Sequence, residues 1–159
     1  MQPKIVEQQE FQVIGILVRT NNAKEMSGQG AIGALWGRFF KEGILGKIPN
    51  KVDSTIYAVY TNYESDRNGE YDFIIGAKVS STTDVPPGMV ARKVAKGPYE
   101  VVTTTNGPAE QVVPKAWQEV WSLEDKKQLS RAYKTDFEVY DQRSHDPQNS
   151  QVDICVGLR

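Results

Sequence analysis

The chain has 159 residues, a length typical of one domain. Its 19 basic and 20 acidic residues give a formal net charge of -1, which excludes a strongly basic protein that binds nucleic acid through phosphate contacts alone. The single cysteine excludes an intrachain disulfide and a cysteine-based zinc cluster, and the single histidine disfavours histidine metal sites and catalytic triads. We therefore expect a globular domain that uses no metal and no cofactor.

The sequence shows no targeting or membrane segment. The first ten residues lack the apolar core of a signal peptide and already include acidic side chains. All apolar runs are far shorter than the about 20 residues of a membrane helix. These features predict a cytoplasmic protein without membrane contact.

Strand and helix patterns alternate along the first half of the chain. Residues 11–20 are rich in β-branched side chains and predict a strand. Apolar residues recur at helical spacing over 29–41, which predicts an amphipathic helix. Residues 54–63 and 71–79 follow as two strands with an Asn-Gly turn signal between them, so they predict a hairpin.

The same order of patterns returns after a proline-rich connection. Residues 89–105 predict a long strand region that bends at Gly97-Pro98. Apolar residues at helical spacing predict a second amphipathic helix around 112–121, and strands follow at 135–141 and 151–158.

This recurrence predicts an internal duplication. Three blocks recur at offsets that agree to within one residue: Trp36 with Trp117, Tyr57 with Phe137, and Phe73 with Ile154. The unit strand–helix–strand–strand therefore occurs twice, at about residues 5–80 and 88–159. Each half is too small to cover its own helix. The predicted fold is of the α+β class, with one antiparallel sheet, two helices on one face, and a cleft at the pseudo-twofold seam.

Glu138 is the most informative single residue. It lies in the middle of a predicted strand, and strand alternation places Glu138 and Tyr140 on the same face. The matching position of the first repeat is Ala58, a small apolar residue. A carboxylate on such a face is costly unless it is paired or faces a ligand. Alternation does not say which face is covered, so a solvated Glu138 remains the alternative.

Aromatic residues surround the predicted seam, and core packing is the simpler interpretation for most of them. A cleft with aromatic walls and one carboxylate nevertheless suits a flat organic cation, because cation–π and charge–charge attraction then act together. The candidate ligand-binding residues are Glu138, Trp36, Phe40, Tyr60, Tyr99, Trp117 and Tyr140.

Other reactive or motif residues are interpreted as structural. His145 lies in a predicted loop, and Cys155 lies in a strand as a small buried hydrophobe. The glycine string from Gly28 to Gly33 lacks the strand context of a dinucleotide site, although anion binding at the following helix N-terminus stays open.

The pattern resembles a known family, the GyrI-like effector-binding domains. These domains also serve as ligand sensors of AraC-type and MerR-type multidrug regulators (BmrR-like modules). The resemblance rests on the order and spacing of Leu35-Trp36, Val59-Tyr60, Ile75-Gly76, Gly97-Pro98-Tyr99, Trp117 with Trp121, Phe137-Glu138-Val139-Tyr140 and Val152-Asp153-Ile154. It implies a duplicated fold in which a buried glutamate and aromatic residues bind bulky cations between the halves, and it assigns that glutamate to Glu138.

The sequence differs from those regulators in one respect, the expected absence of a DNA-binding domain before the first strand. Strand signals begin within the first dozen residues, which leaves no room for a preceding helix-turn-helix. We therefore expect residues 1–159 to form a single effector-binding domain without a DNA-binding domain, similar to stand-alone modules encoded on integron cassettes.

Three functions follow as hypotheses. The first is non-enzymatic binding of a small cationic, aromatic or amphiphilic molecule. The second is a protein-interaction module that inhibits or protects a larger enzyme, as the gyrase-inhibitor relatives suggest. The third is hydrolysis, in which the carboxylate and tyrosines activate water. The chain is expected to be a monomer or a homodimer.

Overall fold

The computed structural model describes residues 4–159. Eight strands form one antiparallel sheet, and the same residues include four α-helices. The strands are β1 (Lys4–Gln8), β2 (Phe11–Asn21), β3 (Ile56–Thr61), β4 (Glu70–Val79), β5 (Val90–Val94), β6 (Gly97–Thr103), β7 (Arg131–Tyr140) and β8 (Asp153–Leu158). The helices are α1 (Asn22–Met26), α2 (Ile32–Lys41), α3 (Ile44–Lys47) and α4 (Ala109–Asp125). This architecture confirms the predicted α+β class.

The strand order reflects the duplication seen in the sequence. The order is β1-β6-β8-β7-β3-β4-β2-β5, so corresponding strands of the two repeats lie at matching distances from the central β3–β7 pair. In that pair Ala58 lies directly opposite Glu138. The two positions that the repeat aligns in sequence therefore meet at the centre of the sheet.

The outermost strands cross between the halves. The predicted long strand over 89–105 is two strands, because Gly97, at a φ of 150°, reorients the chain between them. β5 pairs with β2 of the first half, whereas β6 pairs with β8 and with β1. Sequence patterns did not predict β1, since most of its side chains are exposed and show no alternation.

The sheet is strongly curled. β1 lies at one edge, yet only two residues link it to β2, which lies next to the other edge. Gly15 and Gly76 face each other on β2 and β4, and a Cβ on either would lie within 2.1 Å of a carbonyl oxygen of the facing strand. Two other strands separate β2 from β7, but the rings of Phe11 and Phe137 approach to 5.5 Å. The curl therefore closes the inner face of the sheet on itself.

Both long helices pack on the outer face. α2 buries Leu35 and Phe39 against the first half, and α4 buries Trp117 and Val120 against the second. α2 begins three residues later than predicted, because the Glu25 carboxylate accepts the backbone N–H groups of Ala31 (2.8 Å) and Ile32 (3.2 Å). Within residues 4–159, the helices are too short or too polar to span a membrane.

Candidate functional site: the cleft between α2 and α4

A cleft of about 700 Å³ opens on the outer face of the sheet, between α2 and α4. β3, β4 and β7 contribute to its floor, and the helices form its walls. Six of the seven predicted site residues line it: Trp36, Phe40, Tyr60, Trp117, Glu138 and Tyr140.

Glu138 lies at the floor of the cleft with only 1% of its surface exposed. Its Oε2 accepts hydrogen bonds from the Tyr60 hydroxyl (2.6 Å) and from Trp117 Nε1 (2.7 Å). Its Oε1 accepts a third bond from the Tyr140 hydroxyl (2.6 Å). These donors come from β3, α4 and β7, so the carboxylate is held where the two halves meet.

The donors to Glu138 are uncharged, and within residues 4–159 the carboxylate has no ion-pair partner. Burial raises the pKa of Glu138, and the hydrogen bonds from Tyr140, Tyr60 and Trp117 offset part of that rise. Burial, followed by the negative charge of Glu138, also raises the pKa values of Tyr60 and Tyr140 well above the usual value. The tyrosines therefore stay protonated and act as donors.

Aromatic rings surround the carboxylate in contacting pairs. The ring of Trp36 meets that of Tyr140 edge to face at 4.9 Å, and Tyr60 meets Trp117 in the same way at 5.1 Å. Phe40 stacks on Trp36 at 5.9 Å and remains 64% exposed at the rim. The cleft thus combines one buried negative charge with apolar, π-rich walls.

A second buried carboxylate lies beside the first on β7. Asp136 is fully buried and forms an ion pair with Arg131 at 2.7 Å. Its Oδ1 accepts the backbone N–H of Gly157 at 2.7 Å, and the Tyr63 hydroxyl donates to Oδ2, the oxygen that also pairs with Arg131. Sequence reasoning missed this network, although strand alternation places Asp136 on the same face as Glu138.

The structure corrects the prediction for Tyr99. This residue lies on the inner face of the sheet, 3% exposed, where its ring contacts Phe137 at 5.3 Å. Its hydroxyl donates to the backbone oxygen of Ala95 at 2.6 Å. The bend at Gly97 and the pairing of β6 with β8 set this orientation, so Tyr99 does not line the cleft.

The residues interpreted as structural, at the N-terminus of α2, at Cys155 and at His145, lie in the following surroundings. The Glu25 carboxylate already occupies the N-terminus of α2, where anion binding was left open. Cys155 is 6% exposed on the inner face, and burial raises the pKa of its thiol to about 12. His145 follows a short 3₁₀ turn in the loop after β7. Residues 4–159 contain no group of His, Cys, Asp and Glu side chains suited to a metal ion.

Comparisons with known proteins agree with this fold. The putative transcriptional regulator protein YobU of Bacillus subtilis is 36% identical over 147 residues, which cover 91% of this chain and 90% of YobU. An integron cassette protein from the mobile metagenome of Vibrio cholerae is 35% identical, with a TM-score of 0.78 over 99% of this chain and 95% of that chain. SAV2435, whose structure contains tetraphenylphosphonium, has a TM-score of 0.80 over 100% of this chain and 94% of its own. SAV2435 is 15% identical, a likeness of fold alone.

A family model covers almost the whole chain. It is described as integron-associated effector binding protein (Cass2) and matches residues 4–158. The family consists of effector-binding domains, which confirms the resemblance drawn from the motif order. The chain belongs to the Cass2 family of integron-associated effector-binding proteins.

Proposed function

We propose that the cleft binds a cationic, aromatic or amphiphilic small molecule, and that Glu138 is its charge partner. The observation that carries this proposal is a carboxylate with 1% exposure at the floor of the cleft, held by uncharged donors. A purely structural carboxylate would be expected to pair with a cation, as Asp136 does with Arg131.

The expected interaction energies support micromolar binding of a cation in the cleft. A unit charge about 4 Å from the carboxylate gains about 4 kcal/mol at an effective dielectric of about 20, before desolvation. Each cation–π contact with a wall ring adds about 0.5–2 kcal/mol. Together these terms are consistent with micromolar affinity, which corresponds to about -8 kcal/mol.

The same features favour breadth over narrow specificity. Three side-chain donors already use the Glu138 oxygens, so a ligand is recognised by its charge and its apolar surface. The tetraphenylphosphonium bound to SAV2435 is a bulky cation with aromatic rings, which supports this choice of ligand class. The cleft volume of about 700 Å³ lies in the range of small-molecule sites.

Intrinsic fluorescence provides the test, because all three tryptophans, Trp36, Trp117 and Trp121, line the cleft. Tetraphenylphosphonium is titrated into the wild type and into Glu138→Gln, with neutral triphenylphosphine oxide as the matched control. We expect Glu138→Gln to lose at least about tenfold in affinity for the cation, or about 1.4 kcal/mol, and to keep its affinity for the neutral compound. Equal cation affinities for the two proteins would refute the proposal.

A further inference from the structure

A second pocket, of about 250 Å³, lies on the inner face of the curled sheet. The residues that line this inner pocket come from seven of the eight strands, all except β5. The strands therefore surround it much as the strands of a barrel surround the mouth of the barrel, where ligand sites are common. Lys4 at its rim is exposed, so the pocket opens to solvent there. The inner pocket shares no lining residue with the cleft between α2 and α4.

One wall of the inner pocket is aromatic. The rings of Phe11, Tyr57 and Phe137 contact one another, with 5.3–6.2 Å between their centres. A ligand with an apolar ring can pack against this wall. The volume of about 250 Å³ lies below the about 300 Å³ at which drug-sized sites begin, so it suits a molecule with a single ring.

Two lysines supply positive charge to the inner pocket. Strand alternation places Lys78 on the inner face together with Ile74, where a charged side chain is costly unless it is paired or reaches water. The Nζ of Lys78 lies over the ring of Phe11, 5.1 Å from the ring centre. Within residues 4–159, neither Lys78 nor Lys4 forms an ion pair with a carboxylate.

The acidic residue of the lining, Asp153, is neutralised by the protein itself. Its Oδ1 accepts the Thr103 hydroxyl at 2.7 Å, and its two oxygens accept from the Arg143 guanidinium at 3.2 and 3.1 Å. Burial, followed by the negative charge of Asp53, raises the pKa of Tyr57 to about 12, so the Tyr57 hydroxyl stays protonated as a donor. The lining therefore supplies two ammonium groups and a hydroxyl donor, a set that favours an anion.

We propose that the inner pocket is a second ligand site, which binds a small aromatic carboxylate. The ring of the ligand packs against Phe11 and Tyr57, and its carboxylate pairs with the ammonium groups of Lys78 and Lys4. The two faces of the sheet thus take ligands of opposite charge. This inference does not rest on the proposed function of the cleft, because the two sites have no residue in common.

The first test varies the charge of the ligand at constant ring size. The wild type is titrated with 4-fluorobenzoate, with neutral 4-fluorobenzamide and with cationic 4-fluorobenzylammonium, and binding is followed by fluorine NMR of the ligand. We expect 4-fluorobenzoate to bind with a Kd of about 1 mM or lower, and the other two compounds to bind at least about tenfold more weakly.

The second test removes one ammonium group. We expect Lys78→Met to weaken 4-fluorobenzoate binding by about tenfold, since a charge-assisted contact is lost. Lys93→Met is the matched control, because Lys93 is exposed, pairs with Glu10 and lies outside the inner pocket. It makes the same change in net charge and should keep the wild-type affinity.

The third test fills the pocket without changing any charge. Val139 lines the inner pocket and is partly buried, so Val139→Phe places a ring where the ligand ring would lie. We expect this variant to lose 4-fluorobenzoate binding. Val85→Phe makes the same substitution at an exposed position outside both sites and should bind like the wild type. Circular dichroism checks that each variant is folded.

Four results would overturn the proposal. The first is undetectable binding of 4-fluorobenzoate to the wild type, and the second is equal binding of the amide or the ammonium. The third is an equal loss in Lys78→Met and Lys93→Met, which would assign the effect to net charge. The fourth is wild-type affinity in a folded Val139→Phe, which would place the ligand elsewhere. If Val139→Phe does not fold, Lys78→Met and its control decide the outcome. Failure of the proposed function is recognised separately, by Glu138→Gln binding tetraphenylphosphonium as well as the wild type.

Discussion

Both faces of the sheet carry aromatic side chains, but they pack closely on the inner face and line an open cleft on the outer face. On the inner face, Phe11, Tyr57, Tyr99 and Phe137 pack ring against ring, and a pocket of only about 250 Å³ remains beside them. On the outer face, aromatic rings line a cleft of about 700 Å³ around Glu138. Aromatic content alone therefore does not distinguish a core from a binding site. The curl of the sheet closes the inner face, whereas the outer face has a buried carboxylate that pairs with no cation among residues 4–159.

The largest expected effect is on the inner face. Phe137→Ala removes a ring that contacts Phe11, Tyr57 and Tyr99, so we expect a loss of about 3–5 kcal/mol in the free energy of unfolding. Urea denaturation followed by circular dichroism measures it. The comparison variant is Trp36→Ala on the outer face, where the side chain is only partly buried. An equal loss in the free energy of unfolding of the two variants would contradict the difference in packing between the two faces.

The pH dependence of cation binding gives the next largest effect. Burial raises the pKa of Glu138, and the proposed binding of a cation requires the charged carboxylate. As the pH falls through this pKa, the charged fraction shrinks, so affinity should fall by about tenfold for each further pH unit. Tetraphenylphosphonium titrations over a series of pH values measure the slope.

Glu138→Gln provides the control for this pH series. Glutamine does not titrate, so the weak cation affinity of the variant should stay level over the same range. A wild-type affinity that is also level from mildly acidic to neutral pH would contradict a buried, titrating Glu138.

A wall residue should affect binding more than stability. Trp36→Leu keeps apolar packing against Phe39 but removes a π face beside Tyr140, so we expect about a fivefold loss of cation affinity, within the range of a cation–π contact. Calorimetric titration measures it, because the variant lacks one of the fluorescent reporters. Unchanged cation affinity would remove Trp36 from the recognition surface.

The smallest effect on cation binding is expected at Tyr99. Tyr99→Phe removes the hydrogen bond to the Ala95 carbonyl and should lower the free energy of unfolding by about 1 kcal/mol, while cation affinity stays at the wild-type value. Thermal denaturation and fluorescence titration measure the two quantities. Weakened cation binding in this variant would show that the inner face influences the cleft.

Sequence patterns were most successful where the signal is local. The strand at 11–20 corresponds to β2, and the hairpin at 54–79 corresponds to β3 and β4, because alternation and turn residues lie within a few positions of each other. β1 was missed because an exposed edge strand carries no apolar alternation. The strand over 89–105 was treated as one, since the crossing to the other half depends on partners far along the chain.

The candidate site was predicted in the same uneven way. Glu138 and its aromatic neighbours were found because a charge interrupts an otherwise core-like strand. Tyr99 was misassigned, since the sequence does not show toward which face a bent strand turns its rings. The pair of Arg131 and Asp136 was missed because a register irregularity between them, with Tyr133 at a φ of 55°, brings their side chains together.

The sequence by itself determined the duplicated strand–helix–strand–strand unit, the shared face of Glu138 and Tyr140, and the absence of histidine and cysteine clusters. Only the tertiary structure decided which face the helices cover, which rings remain open to a ligand, and which buried carboxylate is neutralised. The physical reason is the separation along the chain of the residues that each feature involves. Periodicity arises between neighbouring residues, whereas burial and charge pairing depend on strand order and curl, which bring residues from both halves of the chain into contact.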